Sequence, residues 1–190
     1  MDLRSRILEA AGRLYCEFGF RGTTTRLVAS EAGVNEITVF RQFGSKEHLL
    51  REAISRNWAE VDCPIPPEQP RDPAAELTAW ALAFTAKTRE AAPLIRMCLG
   101  EFEQYPEILP PGGSPTARAA GALASCLVNL RERGVTSVTF DPQAAAAMLV
   151  GALFTDAITR EGLPDMYRNA ADDDVRQYVQ VFLRGLGVPA

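Results

Sequence analysis

One short segment combines side chains that can bind both the bases and the phosphates of a nucleic acid. Thr38, Arg41 and Gln42 fall on the polar side of a predicted short helix, with Glu36 and Ile37 at its start. Arginine and glutamine pair with base edges, so a face of Arg, Gln and Thr has the chemistry needed in the major groove of DNA. A small helical packing unit with a solvated polar face has the same composition, and these residues alone leave both interpretations open.

Three predicted helices position this segment. Apolar residues at helical spacing predict a first helix over residues 3–18, which Gly19 is placed to end. Thr23–Thr25 offer hydroxyls that can cap a short second helix, and Asn35 can cap the third, over residues 36–43. The link between the second and third helices contains a glycine that permits a tight turn. This order is typical of a helix-turn-helix.

The rest of the chain is predicted to be helical. Ser45 can cap a fourth helix, over residues 46–61, and five prolines within residues 64–73 make that segment a connecting loop. Three later helices begin with a capping side chain and a proline: Asp72-Pro73, Ser114-Pro115 and Asp141-Pro142. The later helices are predicted at 73–90, 93–105, 115–133, 142–161 and 174–186. Residues 135–140 alternate like a strand, but one strand cannot make a sheet.

The predicted fold is all-α. An N-terminal three-helix helix-turn-helix domain for DNA binding covers residues 1–50, the helix over residues 46–61 connects, and a helical domain covers residues 62–190. Residues 1–58 carry eight Arg and one Lys against seven acidic residues, whereas residues 59–190 carry eleven basic against seventeen acidic residues. The whole chain has a net charge of −4, so the basic excess at the N-terminal end indicates where a polyanion would bind.

Neither a metal centre nor a catalytic site is indicated. The four cysteines lie far apart and form no Cys-x-x-Cys pair, and His48 is the single histidine. No Ser/His/Asp or Cys/His constellation and no phosphate-binding glycine loop is present. We therefore predict no enzyme activity, no catalytic residues, no metal site and no cofactor. His48 is expected to face solvent or to cap a helix.

Membrane insertion and secretion are not indicated either. The longest apolar run, residues 144–154, is shorter than the ~20 residues of a membrane-spanning helix. The N-terminus opens on charged residues, with no apolar segment of the kind that marks a secretory signal. We expect a cytoplasmic protein with no membrane partner.

Three stretches near the N-terminus closely resemble the DNA-binding domain of TetR-family transcriptional regulators. They are Phe18–Ala29, Glu31–Val34 and Thr38–Leu50. The resemblance covers about the first 55 residues, and its turn residues, caps and aromatic positions recur in register. The remaining chain matches only in outline. The resemblance implies a DNA-binding regulator with a C-terminal helical ligand-binding and dimerisation domain.

Site residues follow from the resemblance. The positions that match the family's DNA contacts are Thr24, Thr25, Arg26, Glu36, Ile37, Thr38, Arg41, Gln42 and Lys46. Thr24 and Thr25 match residues that cap the second helix and touch a phosphate, and Lys46 matches a phosphate clamp at a helix N-terminus. Ile37 could pack on a thymine methyl. Glu36 could accept a hydrogen bond from cytosine or could only complement the helix dipole.

Phe40 departs from the family pattern. Many members carry a tyrosine at this position, and Phe40 lacks the hydroxyl that would contact a phosphate. We therefore expect Phe40 to serve mainly in packing, beside Val39 and Phe43 on the buried side of the third helix.

The resemblance also assigns roles in the C-terminal domain. The last two helices would pair with their copies in a homodimer, through Met148, Gly151, Ala152, Thr155, Tyr178, Val179, Phe182 and Leu186. The same stripes could instead face the chain's own core. A small apolar effector is expected among Trp80, Phe84, Met97, Phe102, Tyr105, Leu123, Cys126, Leu127 and Phe154, each of which could also be ordinary core. The loop over residues 105–113 could gate such a pocket or merely connect two helices.

The sequence therefore predicts a homodimeric repressor that binds a palindromic operator in double-stranded DNA and leaves it when a small apolar effector binds. A helix-turn-helix protein that acts through protein partners, without a small-molecule effector, is the alternative. The helix over residues 46–61 is the expected lever between the domains, with Trp58 near its far end.

Overall fold

The computed structural model describes residues 2–60, 63–106 and 114–188, and these residues form nine α-helices. The helices are α1 (Leu3–Gly22), α2 (Thr25–Glu31), α3 (Glu36–Phe43), α4 (Lys46–Glu60), α5 (Pro73–Glu90), α6 (Ala92–Glu101), α7 (Pro115–Glu132), α8 (Pro142–Thr159) and α9 (Ala171–Gly185). The described part contains no strand, and residues 135–140 are irregular. The all-α prediction is confirmed.

Side-chain caps determine where several helices begin. Asp72, Ser114 and Asp141 each accept a hydrogen bond from the backbone N–H three residues further on, at 3.0, 3.1 and 2.6 Å respectively. Each cap is followed by proline, which has no N–H to satisfy, so these helices begin where the sequence predicts. α9 begins earlier than predicted, at Ala171, with no side-chain cap; three aspartates in its first turn complement the helix dipole instead.

α1 continues past the glycine that was expected to end it. The helix runs to Gly22 across a kink at Gly19, where φ is 66° and ψ is −172°. A positive φ is accessible to glycine at little cost because it has no Cβ. The hydroxyl of Thr23 donates to the Gly19 carbonyl at 2.7 Å and supports the kink. The sequence therefore predicts the position of the backbone break correctly, but α1 ends at Gly22 and not at the glycine that was expected to end it.

The described residues form two compact units that no single cut in the sequence separates. Unit 1 contains residues 2–60 and 93–106, and unit 2 contains residues 63–92 and 114–188. α6 thus belongs with α1–α4, because Leu94 and Cys98 pack into the apolar core of those helices. This grouping differs from the predicted division, which placed all of residues 62–190 together.

Each unit has its own apolar core. Tyr15, Leu50 and Ile54 are fully buried in unit 1, and Phe84 and Leu153 are fully buried in unit 2. The predicted connecting helix is α4, which ends at Glu60; Val61 lies outside the described residues. Residues 107–113 of the loop predicted as a gate or a connector also lie outside them.

Candidate nucleic-acid interface

A tight turn joins α2 to α3 and sets the angle between them. Gly33 has a φ of 64°, which glycine adopts readily, and Asn35 caps α3 by accepting from the N–H of Ile37 at 2.9 Å. From α1, the Arg6 guanidinium donates to the carbonyl of Ala32 at 2.5 Å. The helix-turn-helix predicted from the sequence is therefore present, and α1 holds its turn in place.

α3 presents one side outward. Val39 and Phe43 anchor the helix in the core of unit 1, whereas Ile37 and Phe40 leave 67% and 48% of their surface exposed and Arg41 is also exposed. Phe40 is thus half exposed, which corrects its assignment as a packing residue. Positions 39 and 43 share the inward side of the helix, and Phe40, about 100° further round, is displaced from that side. The outward side carries both apolar and cationic groups.

The N-termini of α2 and α3 are joined by a side-chain hydrogen bond. Thr24 caps α2 as predicted, and its hydroxyl accepts from the N–H of Leu27 at 3.1 Å. Thr25 donates its hydroxyl proton to Oε1 of Glu36 at 2.7 Å, and its contact with a phosphate stays a prediction. One oxygen of the Glu36 carboxylate is therefore engaged within the protein. A DNA base could donate only to those lone pairs of the Glu36 carboxylate that Thr25 does not use.

Lys46 lies at the start of α4 beside the end of α1. Its ammonium is 4.5 Å from the centre of the Phe20 ring, and it donates to the carbonyl of Arg21 at 3.5 Å. Ser45 caps α4 by accepting from the N–H of His48 at 3.2 Å, and the side chain of His48 is exposed. The cap formed by Ser45 and the exposure of His48 agree with the sequence prediction. The cation at the N-terminus of α4 is thus held by two contacts from residues 20–21.

The structure brings the predicted DNA-contacting residues together in unit 1. Thr24, Arg26, Ile37, Arg41 and Gln42 are exposed, and Thr25, Glu36, Thr38 and Lys46 are half-buried. Their roles in DNA binding remain predictions.

Arg4 is a positioning residue that the sequence analysis missed. Its guanidinium donates to the Gln42 carbonyl at 3.1 Å, lies 4.5 Å from the centre of the Phe43 ring and pairs with Glu52 at 2.6 Å. It also donates to Oε1 of Gln42 at 3.4 Å, so this predicted DNA contact is tied to α1. These contacts join residues 38 and 48 positions apart, and no local spacing indicates them. The basic excess of the N-terminal segment was the one available signal.

The described residues contain no group of three or more His, Cys, Asp or Glu side chains arranged to hold a metal ion. None of the four cysteines, all within the described residues, forms a disulfide bond. Burial raises the pKa of the Cys16 and Cys98 thiols and raises the pKa of Cys126 to about 11. Thiols with a raised pKa stay protonated at neutral pH, so these three cysteines are poor nucleophiles.

The residues predicted to bind an effector are divided between the two units. Unit 2 contains Trp80, Phe84, Leu123, Cys126, Leu127 and Phe154, and unit 1 contains Met97, Phe102 and Tyr105. All of the unit 2 residues except Phe154 are buried in its core, whereas Phe102 is exposed. A surface cleft of about 400 Å³ in unit 2 is lined by other residues, including Thr78, Gln180 and Val188. The effector site stays a prediction.

The residues predicted at a dimer interface also divide into two sets. On α8, Met148, Gly151, Ala152 and Thr155 are exposed. Val179 and Phe182 on α9, and Leu186 just beyond it, are buried in the core of unit 2. The Tyr178 hydroxyl, also on α9, donates to Asp156 at 3.0 Å. These four side chains already pack within the chain, and their part in a dimer interface stays a prediction.

Comparison with known proteins identifies the N-terminal region. Residues 7–53 match the sequence profile of the family described as bacterial regulatory proteins, tetR family. The uncharacterized HTH-type transcriptional regulator YvkB of Bacillus subtilis (strain 168) is 42% identical over 52 residues, which are 27% of this chain and 28% of that protein. The HTH-type transcriptional repressor KstR of Rhodococcus jostii (strain RHA1) is 38% identical over 61 residues, 32% of this chain and 29% of that protein. The chain matches less than a third of the length of these relatives.

The fold extends the likeness along the chain. A TetR-family regulator from Mesorhizobium loti MAFF303099 superposes with a TM-score of 0.73 and 22% identity, over 98% of this chain and 97% of that one. Two short helices joined by a tight turn, with α1 packed against them, define a helix-turn-helix domain. Residues 7–53 thus match the N-terminal domain of the tetR family, and the chain as a whole shares the fold of this solved regulator. Among the described residues, no helix combines the length and the apolar character that crossing a membrane requires.

Proposed function

We propose that the chain is a sequence-specific transcriptional repressor that binds a palindromic operator as a homodimer and leaves it when a small apolar effector binds. The observation that carries the DNA-binding part is the outward side of α3. Ile37 and Phe40 are large apolar side chains left exposed next to Arg41 on an eight-residue helix. A major groove offers thymine methyls and acceptor-rich base edges to this combination.

Phosphate contacts would flank the base contacts. Lys46 stands at the N-terminus of α4, and Arg26 is exposed on the first turn of α2. Backbone N–H groups and cations at helix N-termini attract phosphate oxygens. The repressor named among the relatives supports the proposed direction of regulation.

A homodimer is supported by the outward side of α8. Met148 is 64% exposed, and Gly151 and Ala152 beside it would allow a second helix to approach closely. Val181 on α9 is a further large apolar side chain, 67% exposed. We propose that Val181 and the outward side of α8 form one association surface, which we name the α8–α9 face. An exposed apolar patch of this kind marks an association site. A two-fold dimer would match the symmetry of a palindromic operator.

An apolar effector is supported by the chemistry of the unit 2 core. Trp80 and Phe84 lie in contact, with ring centres 5.7 Å apart, and Cys126 and Leu127 are buried in the same cluster. The indole N–H of Trp80 already donates to the Pro64 carbonyl at 2.9 Å. A ligand admitted among these residues would therefore find mainly apolar walls, which favours an apolar molecule.

Substitution of Arg41 tests the DNA-binding proposal. Arg41→Ala is expected to cost about 1–3 kcal/mol on a duplex that the wild-type chain has selected from a randomised library, and to relax specificity. Lys46→Ala is expected to weaken binding about equally on selected and random duplexes, because a phosphate contact carries no sequence information. Fluorescence anisotropy at several salt concentrations measures both affinities. Arg118→Ala, which removes an exposed arginine of unit 2, is the matched control.

Two outcomes would contradict the proposal. Equal losses on selected and random DNA for Arg41→Ala would exclude base recognition by this residue. Selection of no preferred duplex by the purified chain would exclude sequence-specific binding and favour a protein that acts through protein partners.

A further inference from the structure

The end of α6 contacts the kink in α1, although the two are far apart in sequence. Oε1 of Glu101 accepts a hydrogen bond from the backbone N–H of Phe20 at 2.7 Å. The helical backbone is interrupted at Gly19, directly before this N–H, and Phe20 is buried. A buried N–H without an acceptor is costly, so the Glu101 carboxylate stabilises the kinked conformation.

Gly19 and Glu101 fit each other closely. A Cβ at position 19 would lie 2.6 Å from Oε1 of Glu101 and 3.3 Å from the sulfur of Met97. The positive φ of Gly19 adds a second reason why other residues would be strained there. The kink and the carboxylate are therefore parts of one arrangement.

Tyr105, just beyond α6, extends this arrangement. Its ring stacks on Phe20 with centres 4.1 Å apart, and its hydroxyl accepts from Nε of Arg21 at 3.4 Å. This contact raises the pKa of Arg21, since the guanidinium is stabilised as a cation. Phe20 and Arg21 are also the two residues that contact the ammonium of Lys46. The position of Lys46 thus depends on residues that Glu101 and Tyr105 hold.

We propose that Glu101 is a positioning residue for DNA binding: by holding the Phe20 N–H at the α1 kink, it places Lys46 for contact with a phosphate. Glu101 acts through the protein and does not touch DNA. The inference rests on the proposed function, and it adds a residue of α6 to the groups on which operator binding depends. Thr23, whose hydroxyl donates to the Gly19 carbonyl at the kink, directly precedes Thr24, the cap of α2.

The test compares Glu101→Leu, Glu101→Gln and the control Glu103→Leu in the full chain. Glu103 is exposed on the turn that follows α6 and has the same charge, so it controls for the loss of a carboxylate. Glutamine retains an oxygen at the acceptor position and is expected to preserve the contact with Phe20. Loss of a negative charge alone would strengthen binding to DNA, so a weaker complex cannot result from charge.

Two measurements report on the inference. Without DNA, hydrogen exchange of the Phe20 amide is expected to be about tenfold faster in Glu101→Leu than in wild type, and unchanged in the other two variants. On the duplex selected by wild type, Glu101→Leu is expected to bind about tenfold more weakly. The slope of log affinity against log salt is expected to decrease in magnitude by about 0.9, the effect of one lost phosphate contact. A general loss of stability would not change this slope in the folded protein.

A second variant applies if Glu101→Leu does not fold. Tyr105→Leu removes both the stacking on Phe20 and the acceptor for Arg21, and it is expected to lower the salt slope in the same way. The inference would be overturned if Glu101→Leu bound the duplex with wild-type affinity and a wild-type salt slope. If only Tyr105→Leu folds, the same result for that variant would overturn it. The proposed function would stand in either case. Absence of sequence-specific binding by the wild-type chain itself would overturn both.

Discussion

At the scale of single residues, Asp156 shows how unit 2 accommodates a buried charge. Its side chain is fully buried and forms ion pairs with Arg160 and, at 3.3 Å, with Arg89. Tyr178 donates its hydroxyl proton to the same carboxylate, and burial together with this hydrogen bond raises the pKa of Tyr178. Arg160 also pairs with Asp174 at 2.9 Å. A buried carboxylate with this many donors is well compensated, and removing its charge takes away a buried partner that Arg89, Arg160 and Tyr178 share.

Asp156→Asn is therefore expected to lower the free energy of unfolding by about 3 kcal/mol, because a neutral amide cannot replace the buried charge on which two ion pairs converge. Urea denaturation followed by circular dichroism measures this change. Asp165→Asn, at an exposed position, is expected to change it by less than ~0.5 kcal/mol. Similar values for the two variants would show that the cluster contributes no stability.

Asp174 makes the stability of the chain depend on pH. Asn169 donates to its carboxylate at 2.7 Å, and this bond together with Arg160 holds the pKa of Asp174 below its ordinary range. A carboxyl whose folded pKa is depressed contributes stability above its unfolded pKa of about 4 and loses it as pH falls through the folded value. The free energy of unfolding of wild type is expected to fall more steeply below about pH 4 than that of Asp174→Asn. Urea titrations across this range measure both, and parallel curves would contradict the prediction.

At the scale of helices, the hydrophobic pattern predicts which side of a helix is apolar. It does not predict whether the same chain or a second chain covers that side. The sequence predicts an apolar stripe on the last helix, and the structure buries Phe182 and Val179 of that stripe in the chain's own core. An apolar side chain packs equally well on its own chain or on a second copy, so periodicity cannot decide between the two. Val181, which lies off the stripe, is the exposed apolar residue of α9.

The neighbouring residues Val181 and Phe182 separate folding from association. Val181→Glu is expected to yield a folded monomer, because its side chain is exposed in the single chain and would be buried in the proposed dimer. Phe182→Glu is expected to unfold unit 2, because it places a charge in the core, where Phe182 is only 5% exposed. Sedimentation and circular dichroism distinguish the two results. Leu163→Glu, at an exposed apolar residue beyond α8, should leave the dimer intact; a dimeric Val181→Glu would contradict the proposed face.

The recognition elements themselves were largely predictable. Caps such as Thr24, Asn35 and Ser45 act on backbone groups within three residues, and the sequence indicates them directly. The hydrogen bond from Thr25 to Glu36 and the contacts of Arg4 with Gln42 depend on how the helices are packed. Spacing along the chain contains no information on those contacts, and they became visible only in three dimensions.

At the scale of the whole molecule, each unit contains one of the two tryptophans. Trp58 belongs to unit 1, and Trp80 lies in the core of unit 2 among the predicted effector residues. The tryptophans can therefore report on the units separately. In a Trp58→Phe background, fluorescence arises from Trp80 alone.

Effector binding is expected to change the fluorescence of Trp80 and to alter operator affinity several-fold, within the ~1–3 kcal/mol typical of coupled sites. Apolar compounds that raise the thermal midpoint of unfolding are the molecules to examine. Cys126→Phe adds bulk at a fully buried position of the same core cluster as Trp80 and introduces no further tryptophan. It is expected to abolish the response, with wild-type operator affinity in the absence of ligand. A tightly bound compound that leaves operator affinity unchanged would contradict the regulatory role.

The discontinuity of unit 1 bears on the order in which the chain is synthesised. Domains generally fold as they leave the ribosome, N-terminal part first. α1–α4 emerge before α5 and α6, so they lack the packing of Leu94 and Cys98 and the carboxylate of Glu101 until roughly half of the chain has been made. A nonsense mutation before residue 93 is therefore expected to yield an incomplete DNA-binding unit. Such a fragment would not occupy operators in competition with the intact protein, and loss-of-function alleles of this type should be recessive.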